Sequence, residues 1–212
     1  MKKSFAVIGL GSFGRSVAQE LIALEAEILC IDNKEDRINK ISKVAQNAVI
    51  CDSTDEEALR DLGIGNIDHV IVCIGNDVQA SILTTLIVKD LGVKRVTVKV
   101  LNEYHAKVVE RIGADEIIYP ERQMGKRFAR RIISDSILEV LELTKDFSYV
   151  EVTTPKKFVG KSIIELDVRR NFGLNVVSIK RDNKIITPTA AGSIESDDIL
   201  MIVGSNKEIS KF

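Results

Sequence analysis

One stretch near the start constrains this chain more than any other. Residues 5–18 run as an apolar segment, then Gly9, Gly11 and Gly14 in the spacing G-x-G-x-x-G, then an amphipathic continuation. A strand that passes through such a turn straight into a helix has few alternatives. Gly9 allows the tight turn, Gly11 lets backbone approach a phosphate, and Gly14 lets helix and strand pack closely. The helix start then offers unpaired N–H groups and the positive end of its dipole to an anion. The motif alone is common, so its surroundings matter. A second apolar run, 27–32, ends in Asp32, 18 residues after Gly14. That is close to the spacing of the acid that accepts hydrogen bonds from ribose hydroxyls in dinucleotide-type sites. Its negative charge argues against a ribose carrying a 2′-phosphate.

Further along, apolar strand patterns alternate strictly with helical ones. A helix is expected over 34–44 with Ile38, Ile41 and Val44 on one face, and a third strand over 47–51. Thr54 with Glu57 has the spacing of a capping box opening a helix that runs to Leu62. The strand over 68–75 is continuously apolar, as a strand buried on both faces should be. A helix over 78–91, a strand over 95–100, a helix over 103–112 and a strand over 115–119 complete the series. Strands joined by helices through short connections predict an α/β, Rossmann-like, doubly wound parallel sheet. Pro120 ends this register. A long helical pattern over about 122–143 follows, with Phe128, Ile132, Ile133, Ile137, Val140 and Leu141 as its apolar positions. A helix that long, leaving a finished sheet, is expected to bridge domains or protomers. The remainder, with alternating 149–153, a short helical 162–166, a hairpin turning at Arg181-Asp182-Asn183 and a last strand over 198–204, predicts a small α+β module. The expected division is therefore 1–122, a bridging helix 123–144, and 145–212.

Composition excludes some classes of function. The formal net charge of −1 gives no general attraction to nucleic acid or an anionic membrane surface. No apolar run reaches the ~18 residues of a membrane span, and Lys2-Lys3 leads into a strand rather than a signal peptide. Cys30, Cys51 and Cys73 lie in apolar runs without metal-ligand spacing, which predicts buried, reduced thiols and a reducing cytosol. The two histidines, His69 and His105, are expected to be structural or surface residues.

Several separated motifs agree in order with one known family. The first glycine loop with Asp32, the run Asp52-Ser53-Thr54-Asp55, the segment 70–75, Gln79 to Thr85, Ile112 to Glu116, and Pro120 to Gly125 resemble an RCK domain, which regulates potassium conductance. Lys161 to Arg169, Gly173 to Val177 and Asp197 to Gly204 are similar to the companion RCK C-lobe. The resemblance covers essentially the whole chain and is nearest to the regulatory subunits of bacterial Ktr potassium transporters (the KtrA/KtrC type), more than to the related NAD-binding TrkA type.

This resemblance implies a non-enzymatic, cytosolic subunit in a homo-octameric ring, docked under a membrane pore subunit and so peripheral to the membrane. It implies ATP or ADP in the N-lobe, held by Gly9, Gly11, Ser12, Phe13, Gly14 and Arg15, by Asp32 and Asn33, by Asp52 and Ser53, by Ile74, Gly75 and Asn76, and by Lys99. Glu121 would reach a divalent cation, Mg²⁺ or Ca²⁺, between paired sites. In the C-lobe, which would also dimerise, Ile163, Ile164, Asp167, Arg169, Asn175, Val176 and Pro188 match a cyclic-di-AMP pocket. The sequence departs from the Ktr pattern at Ser12, where an arginine usually follows the second glycine; Arg15 or a neighbouring subunit would have to supply the phosphate contact.

Three other readings stay open. An NAD(H)-responsive TrkA-type regulator fits the same glycine motif and acid, and a free-standing dimeric nucleotide sensor needs no pore. An NAD-dependent dehydrogenase is disfavoured, because no histidine or cysteine occurs after residue 135 to act near neutral pH.

Overall fold

The computed structural model describes residues 3–211. The chain divides into two compact units, Met1–Pro120 and Glu121–Phe212.

The first unit holds six parallel strands in the order β3-β2-β1-β4-β5-β6. They are β1 (Ser4–Ile8), β2 (Glu27–Asp32), β3 (Asn47–Ile50), β4 (His69–Val72), β5 (Arg95–Lys99) and β6 (Glu116–Ile118). Between them run α1 (Ser12–Ala23), α2 (Glu35–Ile41), α3 (Glu56–Asp61), α4 (Val78–Asp90) and α5 (Glu103–Ile112). The pleat sends alternate residues to opposite faces. Ala6 and Ile8 of β1 join a cluster with Val70, Val72, Val96, Val98, Ile87 and Val109. Val7 joins the other face with Cys30, Ile71, Ala18, Ile38 and Ile41. Both faces of the sheet are therefore covered, which is the doubly wound Rossmann-like fold.

Two local expectations need correction. The helix α2 ends at Ile41, and Val44, beyond it, is exposed rather than on the buried face. The cap of α3 is Asp55, whose carboxylate accepts from the N–H groups of Glu57 and Ala58. Thr54 cannot cap, because its hydroxyl and its N–H both donate to Asp52 Oδ1.

The second unit is the small α+β module. Its first helix, α6 (Pro120–Ile132), enters the unit at Glu121, and its strands build a five-stranded antiparallel sheet, β10-β9-β11-β8-β7. Its strands are β7 (Ile137–Glu142), β8 (Phe147–Thr153), β9 (Asn175–Arg181), β10 (Lys184–Ile186) and β11 (Ile199–Ser205); the short helices are α7 (Ile163–Leu166), α8 (Val168–Phe172) and α9 (Asn206–Ile209). The expected helix over 122–143 is wrong in its second half. It stops at Ile132, and 137–142 pairs antiparallel with β8, Val140 opposite Val150. Val140 then packs into the core with Val150, Val152, Phe158, Leu174, Leu200 and Ile202. A run such as Ile-Leu-Glu-Val-Leu-Glu satisfies either period, and the open strand edge of β8 settled the matter. The turn of the β9–β10 hairpin is Asp182-Asn183, both at positive φ (48° and 61°), as a tight hairpin requires.

Candidate functional site

In an open parallel sheet a ligand crevice forms where strand order reverses, at the carboxyl ends of the strands. Here that point lies between β1 and β4, flanked by the loop 9–11 and the loop 74–76. Gly9 has φ +92°, and a Cβ there would lie 2.9 Å from the carbonyl carbon of Cys73. A Cβ on Gly14 would overlap the carbonyl oxygen of Gly9. These two glycines are demanded by the protein itself. Gly11 is different: a Cβ there would meet no protein atom within 4 Å, and its φ of −60° suits any residue. Nothing in the fold demands glycine at this position, and the loop there is open to whatever approaches it from outside. A phosphate group at the start of α1 fits that cradle.

Asp32 ends β2 and is buried. Its Oδ2 accepts from the Leu10 N–H (2.6 Å) and from Arg37 Nη1 (3.0 Å), and its Oδ1 accepts from the Lys34 N–H (2.9 Å). The carboxylate thus ties the glycine loop to the start of α2. It is also half of an ion pair, so the bare negative charge on which the exclusion of a 2′-phosphate depended is not what the fold presents. Arg37 was missed by sequence reasoning, which read 34–44 only for its apolar face. The available signal was a basic residue one turn beyond the acid. Asn33, between them, is exposed.

Lys99, only 8% exposed, comes to the same end of the sheet from β5. Its Nζ sits 3.3 Å from where a Gly75 Cβ would stand and 5.8 Å from the Phe13 ring centroid. The structure therefore brings Lys99, Gly75 and Phe13 together beside the glycine loop. Ile74 packs against the core and Asn76 is exposed. Ser12 is exposed at the first position of α1, and Arg15 is half-buried one turn on. Asp52 is exposed and committed to Thr54, while the Ser53 hydroxyl is buried against that of Thr84 at 2.9 Å. Ser53 is thus engaged with α4.

The thiols follow burial. Cys73, beside the site, is pushed up to about 12 and Cys30 to about 11 by burial, so neither is a nucleophile at neutral pH. Cys51 is only half-buried, which corrects the expectation for that residue. His105 is buried, with Nδ1 accepting from the Leu101 N–H, and His69 Nε2 meets the Thr97 hydroxyl at 2.8 Å. Burial lowers both pKa values.

Among the described residues, no three His, Cys, Asp or Glu side chains are grouped as a metal ion would need. Glu121, in the first turn of α6, is one carboxylate, too little for the six to eight oxygens of Ca²⁺.

In the second unit, Ile163 and Val176 are half-buried against the core, whereas Ile164 is 65% exposed. The Ile164 N–H donates to Ala190 O (3.2 Å), tying α7 to the segment that carries Pro188. Asp167 takes positive φ between α7 and α8; Arg169 is exposed, and Asn175 opens β9. A capping box of Ser162 and Glu165 fixes the start of α7.

The fold is that of a two-lobed chain, a Rossmann-like N-lobe with a switch-point crevice followed by a small α+β C-lobe. The family model for the TrkA-N domain matches residues 5–120, and that for the TrkA-C domain matches 147–212. The chain belongs to this family, and within it to the Ktr potassium uptake proteins. It is 49% identical to Ktr system potassium uptake protein C of Bacillus subtilis (strain 168), over 100% of this chain and 96% of that protein. It is 42% identical to Ktr system potassium uptake protein A of the same organism, over 99% and 95%. Among solved structures, the GsuK RCK domain superposes with a TM-score of 0.68 at 17% identity, over 99% of this chain and 46% of that one. That likeness establishes the RCK fold.

Proposed function

We propose that this chain is a non-enzymatic gating subunit of a potassium uptake system, cytosolic and held at the membrane through a pore-forming partner. Adenine nucleotide, ATP or ADP, occupies the N-lobe crevice. Gly11 and the start of α1 take phosphate, Asp32 takes ribose hydroxyls, and Lys99 adds positive charge near the phosphates. Ile74, Gly75 and Asn76 flank the base and sugar. The observation that carries this reading is the open cradle at Gly11 beside two glycines the protein needs for its own packing. The GsuK channel, of the same fold, has been solved with NAD and with ADP, so the fold itself does not choose between them.

Cyclic-di-AMP is the proposed ligand of the C-lobe, at Ile163, Ile164, Asp167, Arg169, Asn175, Val176 and Pro188. There an exposed isoleucine offers an apolar face to adenine and Arg169 a cation to phosphate. Pairs of C-lobes, and an octameric ring of whole chains, are the proposed assembly. Ligand then acts by population shift, changing ring geometry only as far as its affinity differs between two states. A divalent cation at Glu121 would need phosphate oxygens and further carboxylates beyond this chain, and no step here depends on it.

Calorimetric titration of the full chain with ATP, ADP, NADH and cyclic-di-AMP tests the whole reading. The expected result is tight ATP or ADP binding with a separate cyclic-di-AMP site. A preference for NADH would move the protein to the TrkA-type alternative, and no nucleotide binding would overturn the N-lobe assignment. Ser12 makes a sharper test. If Arg15 replaces the missing arginine, Arg15→Ala equalises ATP and ADP affinities that differ in the unmutated chain; an unchanged preference removes Arg15 from that role.

A further inference from the structure

The Asp32 carboxylate offers about four acceptor sites, and three are filled: two by backbone N–H groups and one by Arg37. Its side chain is 2% exposed, and that of Arg37 is 32% exposed. The arrangement differs from a bare acid at the end of β2. A bare acid accepts both ribose hydroxyls and repels a phosphate at the 2′ position, whereas a nearby arginine accommodates that phosphate. Here acid and arginine are both present and paired at 3.0 Å, so their charges cancel locally. The Asp32 contact uses Nη1, one of three nitrogens in a planar fork suited to phosphate. The other acidic side chains of this turn are Glu35 and Asp36; both are exposed, and Asp36 is engaged by Lys40 at 3.3 Å.

We propose that Arg37 sets how the site reads the ribose 2′ position, allowing the N-lobe to bind adenosine nucleotides that carry a 2′-phosphate as well as those that do not. The inference rests on the nucleotide reading of the crevice. Arg37 neutralises Asp32 and meets the 2′-phosphate with its remaining donors. Nucleotides without that phosphate use the fourth acceptor site of Asp32 for one hydroxyl.

The test uses the full chain and displacement of a fluorescent ATP analogue. AMP and adenosine 2′,5′-bisphosphate compete in the unmutated protein, Arg37→Gln and Arg37→Lys. The unmutated chain is expected to bind the bisphosphate at least as well as AMP. Arg37→Gln should still bind the ATP analogue, and should lose about tenfold or more for the bisphosphate relative to AMP, the order of one charge-assisted hydrogen bond. Arg37→Lys should recover part of that ratio. Retained ATP-analogue binding in the variants shows that the lobe is folded. Exclusion of the bisphosphate by the unmutated chain, or the same ratio in Arg37→Gln, overturns the proposal and leaves the nucleotide reading intact. Failure of the unmutated chain to bind the ATP analogue overturns both.

Discussion

The two lobes solve the problem of covering a sheet in opposite ways. In the N-lobe every residue of 6–8 and 70–72 is buried, because helices cover both faces of the parallel sheet. In β8 of the C-lobe burial alternates instead: Ser148, Val150 and Val152 face the core, while Tyr149 and Glu151 stand on the other face and hydrogen-bond to each other at 2.9 Å. Leu138, Leu141, Ile164, Val177 and Ile185 all remain exposed in the second unit. The N-lobe sheet is thus covered on both faces by its own helices, although Leu83, Leu86, Leu101, Tyr104 and Val108 stay exposed outside it, and the candidate site lies at one end of its strands. The C-lobe is half-covered, which is where the proposed pairing with a second copy would act. A parallel sheet needs its crossover helices, and those helices supply the second layer; antiparallel hairpins need none.

Mutations can test how separate the two constructions are. Phe158→Ala should have the largest effect. This ring is buried in the C-lobe core and packs at 5.5 Å against Phe172, so its loss should cost about 3–5 kcal/mol. Urea denaturation measures the loss, and an unchanged ATP titration is expected if the N-lobe stands alone.

Gly14→Ala is the matching change in the N-lobe. The new Cβ would meet the Gly9 carbonyl and come within 2.9 Å of the Cys73 Cβ, a strain at the upper end of about 1–3 kcal/mol or beyond. It should abolish ATP binding and spare that of cyclic-di-AMP. Gly11→Ala, three residues away, should move stability by no more than about 0.5 kcal/mol while cutting ATP affinity about tenfold or more. If both alanines behave alike, the distinction between a packing glycine and a ligand glycine is wrong.

The smallest effect concerns pH. Burial lowers the pKa of His105 below that of the unfolded chain, so the unfolded state binds more protons in the interval between. Its contribution is present above about pH 6.5, the ordinary histidine value, and is lost as pH falls through the folded value. Comparing denaturation midpoints of the unmutated chain and His105→Gln from pH 7.5 to 5 should show a steeper decline in the unmutated chain. Parallel curves would show that protonating His105 costs the fold nothing.

Much of the N-lobe was legible because two periods and three glycines repeat one message over 120 residues. Strand runs without polar interruption, helices with one apolar face and the acid after β2 point to a doubly wound parallel sheet, and the structure supplied the strand order. The region 122–143 was not legible, since Ile137, Val140 and Leu141 fit a helix stripe as well as a strand. Only pairing with β8, distant from helix α6 in character though near in sequence, decided it. The capping of α3 failed for a similar reason: Thr54 and Asp55 could each open the helix, and Thr54 is held by Asp52 while Asp55 accepts from the first turn.

By itself, then, the sequence determined the class of fold, the β1 turn and the position of the acid that ends β2, because each rests on local steric rules read from neighbouring residues. The tertiary structure decided which glycines the protein needs for itself, that Lys99 lies beside Gly75 and Phe13, and that Asp32 is paired with Arg37. Those facts depend on which strand ends converge in space, and convergence between chain segments tens of residues apart leaves no period or spacing for a sequence to display.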